Sequence, residues 1–382
     1  MLGKTFKKIK TYVLPTIFLV GILLVANFGL SAFAMPLPKT DASLTIYAMG
    51  KTYKFFYPEI DFCANTLYLK NAEQIVDGIY LDTLVKPKDA TAEIYPDREY
   101  PFVFNKETYG KAIDKQDLLI KIDKALILGE QSVYASEVVI SPQYSVDELQ
   151  KSTYRRAFFT THFPYSSSER KQNIALCAKY IGGKTILPYE SFSFNEVVGE
   201  RTEDRGFLNA KVIENGKFID GVGGGVCQVS STLYNAVLLS GLKITERHPH
   251  SMLVSYVEPS FDAMVSSNYA DLKFVNDTNA VVFLIVRATD SSVTAEIYGV
   301  KSDFEYRRVS NVTERLIPQE PERVESDLIE FGQEKFTVFP KDGAVSEGFL
   351  EIYKNGKLVN KIKLSTDKYK PLQGTIIFGK KE

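Results

Sequence analysis

The spacing of hydrophobic residues changes several times along the chain, and each change marks a part of it. Residues 12–34 form a nearly uncharged apolar run behind Lys4, Lys7, Lys8 and Lys10. Beyond it, short strand-like runs alternate with amphipathic helices. Residues 100–104 read as a strand. Asp114 and Asp117 open a helix with Leu118, Ile122, Ala125 and Leu126 inward, closed by Gly129. Ser145-x-x-Glu148 and Ser166-x-x-Glu169 are capping boxes. After the second, Ile174, Cys177, Ala178 and Ile181 recur at helical spacing up to Gly182-Gly183. A further helix presents Val229, Leu233, Ala236, Val237 and Ser240 on one face and stops at Gly241. Residues 254–257, 272–276 and 281–286 read as strands, and residues 349–359 as a hairpin turning at Asn355-Gly356. The charged, proline-containing stretch 313–327 reads as a linker.

These patterns predict an α+β, multidomain chain. Residues 1–34 are a signal peptide or membrane anchor. Residues 43–150 are an α+β region suited to binding or spacing, where Phe55-Phe56-Tyr57 faintly echoes Phe102-Val103-Phe104. Residues 153–300 are a mostly β domain with two helices, and residues 303–382 are a small all-β module. For the first segment two readings stay open. Ala32-Phe33-Ala34 fits a cleavage site, whereas the length of the run suits a single span of roughly 20 residues. Both put residues 35–382 outside the cytoplasm. The membrane is then a partner only if the segment stays uncleaved.

Composition adds two constraints. The 382 residues carry a formal net charge of −1, which removes the electrostatic case for nucleic acid as a partner. Cys63, Cys177 and Cys227 are too few, and odd in number, for a disulfide framework, so at least one thiol is unpaired within the chain. Cys177 lies on an apolar helix face and reads as core. Cys63 has no evident role beyond packing or a bridge to Cys177.

Chemistry concentrates where Gly223-Gly224-Gly225 meets Cys227 at the start of a helix. Backbone N–H groups and the positive end of the helix dipole favour a thiolate there, and glycines let backbone approach a ligand. His248 and His250 follow, two of only 3 histidines in the chain. The set is the outline of a thiol acyl-transfer enzyme. His250 is the first candidate for the base and His248 the second, with Asp262 to orient the imidazole. His162 reads as structural. Arg201 is a candidate fork for a substrate carboxylate. Gly223, Gly224, Gly225, Gln228 and Ser230 complete the candidate substrate-binding set. Two other classes remain open: a zinc hydrolase built on Cys227, His248 and His250, and a non-catalytic binding or scaffold protein. The i, i+2 histidine spacing matches no familiar zinc motif, so no metal or cofactor is expected.

Several blocks in one order resemble the VanW domain family. They are Arg170, Asn173-Ile174, Phe192-Ser193-Phe194-Asn195, Gly199-x-Arg201-Thr202, the run from Gly223 to Ala236, Arg247-His248-Pro249-His250-Ser251 and Val254-x-Tyr256-Val257. Where that family usually reads Pro-Gly-x-Asp-Ala-Thr-Val, this chain has Pro259-Ser260-Phe261-Asp262-Ala263-Met264-Val265 and keeps the aspartate. The preceding stretch resembles peptidoglycan-binding-like modules, and the tail faintly resembles a small glycine-containing β module of surface proteins. The resemblance implies work on the cell wall of Gram-positive bacteria, in an antibiotic-resistance context. It implies an L,D-transpeptidase that joins peptidoglycan stem peptides through a cysteine acyl-enzyme.

Overall fold

The computed structural model describes residues 42–63, 66–214, 217–267 and 269–380. The segment 1–34, with its two readings, lies outside them. Among the described residues no helix is long and apolar enough to cross a membrane.

The chain divides into two compact units. The first comprises residues 42–84 with Ala112–Val138. Its sheet pairs Ser43–Ala48 antiparallel with Lys51–Phe56 and parallel with Ser132–Tyr134. The Lys115–Leu128 helix begins where the Asp114 carboxylate accepts from the Gln116 and Asp117 N–H groups. It ends at Gly129, whose φ of 74° is left-handed. Leu118, Ile122, Ala125 and Leu126 face inward, as their spacing predicts. They share a core with Leu44, Ile46 and Val133.

The second unit takes Val85–Lys111 and the chain from Val139 onward. The predicted 43–150 region is thus split between two units. Packing is the reason. Phe102, on the Phe102–Asn105 strand, lies 5.1 Å from both the Phe283 and the Tyr298 rings, and Ala90 and Leu149 join Val281 and Phe283 in one apolar cluster. Leu149 comes from a short helix whose Ser145–Glu148 capping box is fully formed.

The main sheet of this unit runs in the order Tyr154–His162, Ser292–Gly299, Val282–Ala288, Lys184–Ile186, antiparallel throughout. The Val226–Ser240 and Ser168–Ile181 helices pack on it. The second of these starts one residue later than the sequence pattern suggests. Ser167 caps it by accepting from the Arg170 N–H, while the Ser166 hydroxyl is taken by Arg170 Nη1 at 2.9 Å. The Val226–Ser240 helix is buried almost all round instead of on one face. It lies between the sheet and the strand Phe304–Leu316.

Three further expectations change. Residues 254–257 are irregular. Among the described residues they find no ladder partner. The stretch 313–327 is mostly strand, because Phe304–Leu316 pairs with Gly343–Lys354 and Glu322–Phe331 pairs with Thr375–Gly379. Its charges sit on exposed ladders held by backbone pairing. The tail, finally, belongs to the same compact unit as the cysteine helix. Its hairpin turns as predicted at Asn355 and Gly356, both at positive φ.

Candidate active site

Cys227 is the second residue of its helix. Gly225 caps the helix with φ 109°, which favours glycine. A Cβ there would come within 2.9 Å of Ile174 Cγ1, and one on Gly224 within 2.7 Å of the Lys211 carbonyl oxygen. The glycines therefore let the turn before Cys227 nest against neighbouring chain. Val226 N–H and Gln228 N–H donate back to Gly223 O and Gly225 O.

The structure brings Cys227, His250 and Asp262 together. His250 is 5% exposed and Asp262 1%. Nδ1 of His250 lies 2.6 Å from Asp262 Oδ2, and the His250 backbone N–H donates to the same oxygen at 2.6 Å. The carboxylate thereby fixes both ring and backbone. With Nδ1 occupied, the other ring nitrogen is left to act on the Cys227 thiol. Cys227 Sγ is also 3.4 Å from the Val265 carbonyl oxygen.

The electrostatics follow from this geometry. Burial resists ionisation of the thiol, but the hydrogen bond and charge of His250, with Arg201 nearby, outweigh it and bring the Cys227 pKa down. Burial likewise disfavours the imidazolium, yet Asp262 and Cys227 push the His250 pKa up to about 9. Both shifts favour the charged pair, a thiolate beside an imidazolium, over the neutral one. Cys177 contrasts with it: wholly buried and free, its thiol is pushed well up by burial. Packing is its role.

The other candidates take different places. His248 is partly exposed and pairs with Glu246 at 3.0 Å. Among the described residues no three His, Cys, Asp or Glu side chains are grouped to hold a metal. Gln228 is buried and binds Arg170, Thr161 and the His162 carbonyl. Ser230 is buried and donates to the Cys227 and Ala263 carbonyls. Both support the helix from beneath. Arg201 is close enough to affect the thiol, and its guanidinium donates to Asn195 and, at 3.1 Å, to Ser267.

Some site residues carried no role in the sequence pattern. Arg247 donates from Nη2 to Asp262 Oδ1 at 2.8 Å and from Nε to the Asp262 carbonyl at 2.6 Å. Arg170 feels the Cys227 charge and donates to Gln228 Oε1 at 2.7 Å. Tyr256 lies near enough to the thiolate that burial and this charge together keep its hydroxyl protonated. Arg170, Arg247 and Tyr256 all fall inside the motif blocks, which was their one sequence signal. Tyr369 falls outside them.

The family described as "VanW like protein" matches residues 169–298, a span that holds Cys227, His250 and Asp262. Over 201 residues the chain is 37% identical to the "Uncharacterized protein YoaR" of Bacillus subtilis (strain 168), covering 52% of this chain and 64% of that protein. Over 145 residues it is 30% identical to the "Vancomycin B-type resistance protein VanW" of Enterococcus faecalis (strain ATCC 700802 / V583), covering 36% and 52%. The chain thus spans less than two thirds of the length of either relative. A solved "IgA1 Protease G5 domain structure" is 22% identical over 21% of this chain and 92% of its own, with a TM-score of 0.16, too slight a likeness to bear on the fold. Residues 169–298 are thus similar to the VanW-like family, and the likeness to both relatives falls on part of their length.

Proposed function

We propose that this chain is an extracytoplasmic cell-wall enzyme, an L,D-transpeptidase that moves acyl groups between peptidoglycan stem peptides through a thioester on Cys227. The observation that carries this reading is the buried Asp262–His250 hydrogen bond of 2.6 Å behind a thiol of lowered pKa. A carboxylate that holds an imidazole against a nucleophile is the arrangement thiol acyl transfer requires.

In the first step the Cys227 thiolate attacks the carbonyl carbon between the third and fourth stem residues. The Cys227 N–H, at the helix start, is the donor assigned to the oxyanion. The C–N bond breaks, and the departing amine takes its proton from the His250 imidazolium. In the second step the side-chain amine of another stem attacks the thioester. His250 accepts its proton, and the thiolate leaves. Arg201 and Arg170, which no carboxylate bridges among the described residues, stand beside the thiol to bind a donor carboxylate. Residues 43–150, by their resemblance to wall-binding modules, are assigned to holding the glycan. The lysines before residue 12 and the apolar run to residue 34 support export.

The test is intact-mass analysis after incubation with disaccharide-tetrapeptide. An adduct mapping to Cys227, released by an acceptor stem as a cross-linked product, is the expected result. No adduct on the wild-type thiol would sink the reading. Release by water alone, with no cross-linked product, would make the enzyme a hydrolase.

A further inference from the structure

Asp262 is held from two directions. His250 uses Oδ2, as described. Oδ1 receives Arg247 Nη2 at 2.8 Å and the Tyr369 hydroxyl at 2.6 Å. The tyrosine comes from the far end of the chain, 107 positions away, in the β region that the sequence pattern sets apart as a separate module. We propose that Tyr369 is a positioning residue of the thiol centre, and that the C-terminal β region is thereby part of the catalytic apparatus. The inference rests on the Cys227–His250 pairing of the proposed function.

Local geometry supports a role beyond packing. Tyr369 ends the Lys357–Tyr369 strand and is 1% exposed. Its oxygen also accepts the Ser260 N–H at 2.7 Å. Ser260 sits at φ 69°, a conformation that a serine rarely adopts. One hydroxyl therefore holds both the turn leading into Asp262 and the carboxylate itself. Asp367 lies two residues earlier, so its side chain leaves the strand on the same face. It accepts from Arg247 Nη1 at 2.8 Å. This single strand end thus grips Asp262 directly through Tyr369 and indirectly through Arg247.

The anchoring is broad. The Ser310 hydroxyl donates to the Pro259 carbonyl at 2.8 Å, the Lys370 N–H donates to the Ser251 carbonyl at 2.7 Å, and Arg308 donates to the Asn235 side chain of the cysteine helix. A carboxylate offers about four lone-pair positions. Here the His250 N–H, His250 Nδ1, Arg247 and Tyr369 occupy them. A carboxylate so saturated cannot swing away from the imidazole. The charged and titratable groups around it are Arg247, Tyr369, His250, Tyr234 and Tyr256, with Asp367 on Arg247 and Cys227 beyond the ring. Phenylalanine would fill the same space without the hydroxyl. The hydroxyl is what orients the carboxylate.

The experiment follows the pH profile of iodoacetamide alkylation at Cys227, read by peptide mass on the whole 382-residue chain. Tyr369→Phe is made in the wild-type and in the Asp262→Asn backgrounds, with His250→Gln as control. Acting through Asp262, Tyr369→Phe should raise the alkylation midpoint by about half a pH unit or more in the wild type. It should change nothing once Asp262 is already replaced. No shift in the wild type, or an equal shift in both backgrounds, overturns the proposal. The control separates the failures. If His250→Gln moves the midpoint and Tyr369→Phe does not, only the tyrosine's role falls. If neither moves it, the thiol–imidazole pairing falls and takes this inference with it. Should Tyr369→Phe not fold, Asp367→Asn keeps the ring, loosens Arg247 and carries the same two-background test.

Discussion

Replacing His250 by glutamine removes the imidazolium while retaining a polar side chain against Asp262. Several influences favour the thiolate in the wild type, and the helix start and Arg201 survive the loss of His250. The helix start contributes about 0.3–1 kcal/mol, less than one pK unit. A unit charge pair in contact contributes about 4 kcal/mol at 4 Å and an effective dielectric of about 20, or roughly 3 pK units. The histidine therefore dominates, and burial opposes the thiolate in both proteins. Loss of a cation raises the pKa of an acid, so the midpoint of Cys227 alkylation should move up by roughly 2 to 3 pH units. The assay is the iodoacetamide rate constant between pH 5 and pH 10, read at Cys227, with thermal melting to confirm folding. Because His250 also carries the proton to the leaving amine, acylation by disaccharide-tetrapeptide should slow by roughly 100-fold or more at neutral pH. A midpoint within about half a unit of wild type would refute the reasoning, since the helix start and Arg201 would then account for the thiolate without His250. His248→Gln is the companion measurement. Its side chain faces Glu246, so little change is expected.

Other outcomes follow from the same geometry. Cys227→Ala should abolish adduct formation with little loss of stability, whereas Cys177→Ala should keep activity and lower stability by around 1 kcal/mol, checked by urea unfolding; the reverse pattern would show that the wrong thiol is assigned. Gly225→Ala should destabilise by about 1–3 kcal/mol, because the residue sits at φ 109° with Ile174 and Arg170 against it; a melting temperature equal to wild type would show that the turn relaxes. Arg201→Gln should raise KM for donors ending in a free carboxylate and leave donors with an amidated terminus unaffected, and equal effects on both would remove Arg201 from carboxylate binding.

Local chemistry was legible in the linear chain. Helix ends were read within a residue because their signals are short-range: Asp114 caps through its own side chain, and Gly129 and Gly241 stop helices through φ values that other residues resist. The Asn355-Gly356 turn was plain for the same reason. Cys227 stood out because a glycine run before a helix start is a local pattern, and the spacing of Ile174, Cys177 and Ala178 assigned Cys177 to the core. What the chain could not disclose was set by contacts between distant residues. Whether a charged stretch such as 313–327 is linker or strand depends on a ladder partner tens of residues away. Residues 254–257 carry strand-forming side chains, yet among the described residues they pair with no strand. The division near residues 85–111 follows from Phe102 meeting Phe283, a contact across about half the length of the chain. Between two histidines two positions apart, periodicity cannot choose. The choice falls to the buried carboxylate of Asp262, which bonds His250 and leaves His248 to Glu246. Tyr369 is the extreme case. It lies outside the blocks that resemble the VanW domain, and only folding of the C-terminal β region against the cysteine domain brings its hydroxyl to the carboxylate that orients the imidazole.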